Sequence, residues 1–82
     1  MPKVVIYSTP TCHYCQVAKD FFKQHDVSYT EHNVMEDKAR RAKMVELTGK
    51  MSVPVIVIGR KVVVGFDEEN ITKLLNLKSG RE

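Results

Sequence analysis

Cys12 and Cys15 stand two residues apart, as Thr11-Cys12-His13-Tyr14-Cys15, at the seam between two different hydrophobic patterns. Before them Val4-Val5-Ile6-Tyr7 is a continuous, β-branched apolar run, the mark of a buried strand. After them Val17, Ala18, Phe21 and Phe22 recur at i,i+4 spacing while Lys19, Asp20, Lys23 and Gln24 face outward. That is an amphipathic helix over 13–24. A strand must therefore turn into a helix at the cysteines, with Ser8-Thr9-Pro10-Thr11 as the turn and a source of capping hydroxyls. These are the only cysteines in 82 residues. They react with each other, bind something together, or do nothing. A C-x-x-C pair at a strand-to-helix junction is the arrangement that makes a thiolate reactive near neutral pH.

The chain is expected to form one domain over 1–82, since its length leaves no room for a second core. A hydrophobic content of 43% with 28% charged residues is ordinary for a folded globular protein and argues against disorder. The cysteine pair closes too short a loop to act as a structural staple. A net charge of +3 is mild, and the densest basic run, Lys38, Arg40, Arg41 and Lys43, is flanked by Glu36, Asp37 and Glu46 without interleaved aromatics. It reads as a solvated helix face, and nucleic acid is not an expected partner. Met1-Pro2-Lys3 leads straight into the first strand, with no signal-peptide core, and no apolar stretch approaches a bilayer span. The expected setting is the cytoplasm, away from membranes. There a C-x-x-C pair is more often catalytic or metal-binding than structural.

The remaining elements follow from pattern. Val27 to His32 alternates as a second strand, and Asn33 to Asp37 supplies turn and cap chemistry. A helix to about Thr48 is expected to bury Ala42, Met44, Val45 and Leu47, with Gly49 at its left-handed end. Pro54-Val55-Ile56-Val57-Ile58 is the strongest strand, and Gly59-Arg60 turns it into Lys61-Val62-Val63-Val64. Asp67-Glu68-Glu69 opens a last helix with a buried stripe of Ile71, Leu74 and Leu75. The order is β-α-β-α-β-β-α, an α/β fold.

Position separates the two thiols. Cys12 at the helix N-terminus meets unpaired backbone N–H groups and the positive end of the helix dipole, a setting that lowers a thiol from about 8.5 to roughly 3.5–7.5. Cys12 is thus expected to be the nucleophile and Cys15, one turn in, the resolving thiol. His13, if protonated beside the sulfur, would favour the thiolate and make the disulfide more oxidising. Its other reading is a solvent-pointing loop residue. A zinc site would need ligands beyond the pair, and His13, His25 and His32 lack partner spacing, so no metal is expected. Small copper carriers also use a C-x-x-C, but with a methionine before it and a β-α-β-β-α-β order that this chain does not follow. Pro54, leading into the strongest strand, removes a ladder donor and invites a cis bond. Packed against the cysteine turn, it would leave the backbone of Val53 as an edge for a substrate peptide.

With Cys12-His13-Tyr14-Cys15, Ser52-Val53-Pro54 and Gly65-Phe66-Asp67 in one chain of this order, the sequence resembles a glutaredoxin over essentially its full length. The resemblance implies a thioredoxin-like fold, with a four-stranded mixed sheet flanked by three helices. It also implies reduction of disulfides, or of mixed disulfides with glutathione, by thiol–disulfide exchange. By the same resemblance Cys12 and Cys15 form the redox-active disulfide and Pro54 is the cis-proline. Tyr14 then lines the substrate groove, the Val53 backbone pairs with the glutathione cysteine, and Asp67 receives the γ-glutamyl end. The family's usual lysine three residues before the nucleophile is Thr9 here, a gap that Lys50 is one candidate to fill, and the usual proline after the nucleophile is His13. Val64-Gly65-Phe66 looks more like NrdH-type redoxins, which are reduced by thioredoxin reductase and donate to ribonucleotide reductase. The expected protein is a monomeric dithiol–disulfide oxidoreductase with no bound cofactor. Its partners are disulfide-bearing proteins, with glutathione or thioredoxin reductase as electron source. A metal or iron–sulfur carrier and a redox-linked docking module are the rival readings.

Overall fold

The computed structural model describes residues 3–76, which form β1 (Val4–Ser8), α1 (His13–Gln24), β2 (Thr30–Asn33), α2 (Lys38–Thr48), β3 (Val55–Ile58), β4 (Lys61–Val64) and α3 (Glu68–Leu74). The strands lie in the order β2-β1-β3-β4. β1 and β2 are parallel, while β1–β3 and β3–β4 are antiparallel. The mixed sheet and three helices are those of the thioredoxin-like fold.

Alternation along the strands sorts the side chains into two layers. Val4, Ile6, Ile56, Ile58 and Val63 face Ala18, Phe21 and Phe22 of α1, and Ile71 and Leu75 from the α3 end. Tyr7 and Val55 face the other way and pack with Val34 and with Met44 of α2. Phe22, with no exposed surface, anchors the first layer. Burying a side chain of this kind stabilises the fold by about 1.5–3 kcal/mol.

Four expectations are corrected. β2 spans Thr30–Asn33, not Val27 to His32. Val27 is buried, but its N–H donates to Phe22 O at 2.8 Å as the chain leaves α1, after Asp26 at φ 55°. It packs in the core before the ladder begins at Val5↔Thr30. Alternation there reported burial, not pairing.

α2 buries only Met44, and Val45 is half-covered. Ala42 and Leu47 are exposed, because the core cluster on this side of the sheet takes no other residue from α2. His25 and His32, at the two ends of the expected second strand, read as exposed in the sequence, yet both are half-buried. His25 is half-buried with its ring centroid 4.4 Å from that of Phe21, and His32 lies 5.6 Å from Tyr7. Leu74, expected in the α3 stripe, is half-buried beside the core.

Candidate active site

The sheet register brings the three singled-out segments to one place. β1 runs toward Ser8, and Tyr7 pairs with Val55, the first residue of β3. Val55 in turn pairs with Val64, the last residue of β4. The chain leaving β1 toward the cysteines, the Val53-Pro54 approach to β3 and the Gly65-Phe66-Asp67 exit from β4 therefore all lie beyond the same end of the sheet. β2 also ends there, since Asn33 pairs with Ser8. Crevices outside strand carboxyl ends are where open α/β sheets place their sites.

Cys12 is the N-cap of α1, at φ −83° and ψ 114°. Its Sγ accepts the N–H of Cys15 at 3.1 Å, doing with sulfur what Ser or Asp oxygen usually does at this position. The Cys12 N–H donates to Thr9 O at 3.3 Å, which closes the turn, and the Cys12 carbonyl accepts from Gln16 N. Cys12 and Cys15 are joined as a disulfide, with their Cα atoms 5.2 Å apart. The two sulfurs are not equivalent. Cys12 is partly exposed, whereas Cys15 is 0% exposed, turned from the helix into the protein.

Pro54 is buried and follows a cis peptide bond from Val53. Its carbonyl accepts from Gly65 N at 2.8 Å, which ties the second segment to the third. Gly65 has φ 83°, a left-handed conformation that favours glycine. Val53 is half-buried against the Tyr7–Met44 cluster. Asp67 caps α3, its Oδ1 accepting from Asn70 N at 3.3 Å, so this carboxylate is already engaged by its own helix. Phe66 turns inward, its ring 5.5 Å from that of Phe21.

Tyr14 is 62% exposed beside the disulfide. His13, also exposed, sets its ring edge-on to Tyr14 at 5.4 Å. Lys50 is exposed, and its backbone N–H donates to Thr48 Oγ1. Among the described residues no group of three or more His, Cys, Asp and Glu side chains stands within reach of one metal ion. An open groove of about 620 Å³ runs beside β2, lined by Glu31, His32, Asn33, Glu36, Asp37 and Lys38, and none of the residues expected at the redox site lines it.

One arrangement went unread in the sequence. Ser8 Oγ donates to Glu31 Oε2 at 2.7 Å, and Lys19 Nζ donates to the same oxygen at 2.9 Å. Those hydrogen bonds, Lys19's first, hold the Glu31 carboxyl below its ordinary 4.5 against an opposing desolvation. The helical pattern puts Lys19 on the outward face and the sequence reads Ser8 as a turn residue, whereas Ser8 ends β1 and Lys19 reaches across to β2. The available signal is the i,i+4 spacing of Cys15 and Lys19, with a carboxylate on the strand that pairs with β1.

Comparison with known proteins agrees with this geometry. The family model for glutaredoxin matches residues 4–63. A glutaredoxin-like 8.6 kDa protein of the Clostridium pasteurianum rubredoxin operon is 38% identical over 72 residues, covering 88% of this chain and 96% of its own. Glutaredoxin 3 of Escherichia coli is 34% identical over 68 residues, covering 83% and 82%. A variant of the thioredoxin-like protein BC3987 superposes with a TM-score of 0.88 at 36% identity, covering 95% of this chain and all of its own. With a C-x-x-C disulfide at the N-terminus of α1 and this sheet behind it, the chain belongs to the glutaredoxin family and is a glutaredoxin-like dithiol oxidoreductase.

Proposed function

We propose that the protein is an electron carrier that reduces disulfides of protein substrates, or mixed disulfides with glutathione, with Cys12 as nucleophile and Cys15 as resolving thiol. The observation that carries this is the asymmetry of the pair: Cys12 Sγ is reachable and holds the Cys15 N–H, while Cys15 is fully buried. In the reduced protein the helix N-terminus and that N–H favour Cys12 as thiolate. The thiolate attacks one sulfur of the substrate disulfide, and the other sulfur leaves as thiolate. Cys15 then attacks the Cys12 sulfur, releases the second substrate thiol and leaves the internal disulfide. The exchange itself requires no bound cofactor, and an external reductant restores the dithiol.

In this reading Tyr14, the Val53 backbone, Pro54 and Asp67 frame the substrate, and His13 stands beside Cys12 at the exposed start of α1. The protein acts as a monomer in the cytoplasm. Cys12→Ser is expected to abolish all disulfide reduction. Cys15→Ser is expected to accumulate a mixed disulfide with a substrate protein, visible as a mass increase that a reductant removes. A Cys12→Ser protein that retained reduction through Cys15 would overturn the assignment.

A further inference from the structure

The exchange scheme leaves without a role one charged network that joins the end of β1, the helix that carries Cys15, and β2. Ser8 is the one buried polar residue among those described, 1% exposed, and Glu31 Oε2 receives both its hydroxyl and the Lys19 ammonium. Lys19 lies one helical turn beyond Cys15, and side chains so spaced have Cβ atoms about 5–6 Å apart. The lysine is the more enclosed partner, its side chain 15% exposed against 38% for Glu31. A sulfur with no solvent contact must become a thiolate before it can attack, and water cannot stabilise that charge.

We propose that Lys19 is a positioning residue that stabilises the Cys15 thiolate during resolution, while Glu31, itself held by the Ser8 hydroxyl, holds the ammonium and tempers its charge. The proposal rests on Cys15 being the resolving thiol. In the step concerned the Cys15 thiolate's electron pair forms the bond to Cys12 Sγ. The bond between Cys12 and the substrate sulfur breaks with its pair on the substrate, and the proton that Cys15 gives up is balanced by the one this sulfur takes up. The dithiol is oxidised and the substrate reduced by two electrons. Glu31 is unsuited to take that proton, since Lys19 and Ser8 keep its carboxyl below 4.5, far under a thiol's ordinary value of about 8.5.

Reduced protein mixed rapidly with dithiobis(nitrobenzoate) separates the steps. One coloured equivalent is released when Cys12 attacks and a second when Cys15 resolves. A unit charge about 6 Å from a sulfur changes the thiolate fraction by up to about a hundredfold, and the compensating change in nucleophilicity returns about tenfold of it. With Glu31 offsetting part of the charge, Lys19→Met and Lys19→Gln are each expected to slow the second phase about three- to tenfold. The first phase should stay within about twofold, and Lys19→Arg should restore the second. Glu31→Gln, which removes the tempering carboxylate, is expected to speed the second phase.

The opposite signs are decisive, because a purely structural ion pair would move both variants the same way. Equal signs, or a second phase indifferent to all these variants, overturns the proposal. Should the Lys19 variants fail to fold by circular dichroism, the sign of Glu31→Gln alone decides. Release of a single equivalent by the unmodified protein would instead mean that Cys15 does not resolve, a failure of the exchange scheme and not of Lys19.

Discussion

Glu31 is ionised more readily in the folded chain than free in water, because Lys19 and Ser8 both hydrogen-bond its carboxylate. A folded value below the unfolded one gives stability that is present above the unfolded value of 4.5 and is lost as pH falls through the folded value. Urea unfolding of the parent and of Glu31→Gln should therefore differ most near neutral pH, and the gap should close below 4.5. A gap constant down to strongly acid pH would remove the ion pair as its cause. His32 acts in the same direction by another route. Burial first, then the charges of Arg40 and Lys3, lower it from 6.5, with Asp37 opposing. The unfolded chain then binds the proton more readily, so stability declines as pH drops below 6.5. His32→Gln should flatten that decline. At the active-site turn, His13→Pro should move the reduction potential in the reducing direction, as measured against a glutathione redox buffer. An unchanged potential would leave Cys12 to the helix N-terminus alone.

Each element has one residue on which its geometry depends most. Phe22 on α1 has no exposed surface and stands between the helix and the sheet. Phe22→Ala should cost about 3–5 kcal/mol in denaturant unfolding, the range for emptying a buried aromatic site. Gly49 ends α2 at φ 72°, with open space where a Cβ would go. Gly49→Ala is then a pure backbone penalty of about 1–2 kcal/mol, and disulfide reduction should be untouched. A larger loss would mean that α2 shifts and takes Met44 with it. The periodicity that made α1 legible in the sequence is strong because its apolar stripe is wide: Cys15, Ala18, Phe21 and Phe22 are all buried. α2 was legible as a helix but not as a packing surface. Ala42, Val45 and Leu47 have the right spacing, yet only Met44 reaches the core. Spacing states which face a residue shares, whereas the neighbouring elements decide whether that face is covered. Val27 makes the same point for β2, since it is buried without a ladder partner.

At the scale of the whole molecule the open variable is the electron source. By resemblance the motifs pull apart: Tyr14 and Val53-Pro54 match the glutathione groove, Thr9 leaves one glutathione-carboxylate contact unfilled, and Gly65-Phe66 looks like the redoxins served by thioredoxin reductase. NADPH consumption during reduction of a small disulfide separates them, run with glutathione plus glutathione reductase and again with thioredoxin reductase. Phe66 packs into the core against Phe21, which fixes the Gly65-Phe66 pair that looks like those redoxins. Faster turnover is accordingly expected with thioredoxin reductase. Turnover with glutathione alone would assign Tyr14, Val53 and Asp67 a working groove.

The sequence by itself determined the cysteine pair, its place at a strand-to-helix junction, the β-α-β-α-β-β-α order and the proline before β3. Each is written locally, in period, turn chemistry or residue identity. Only the tertiary structure decided that Cys15 is sealed from solvent and that Pro54 and Gly65 share a hydrogen bond. The same holds for Ser8, Lys19 and Glu31, which meet at one carboxylate oxygen. Those contacts join residues brought together by the Ile6↔Glu31 and Val55↔Val64 registers, and a register is set by how whole strands pack.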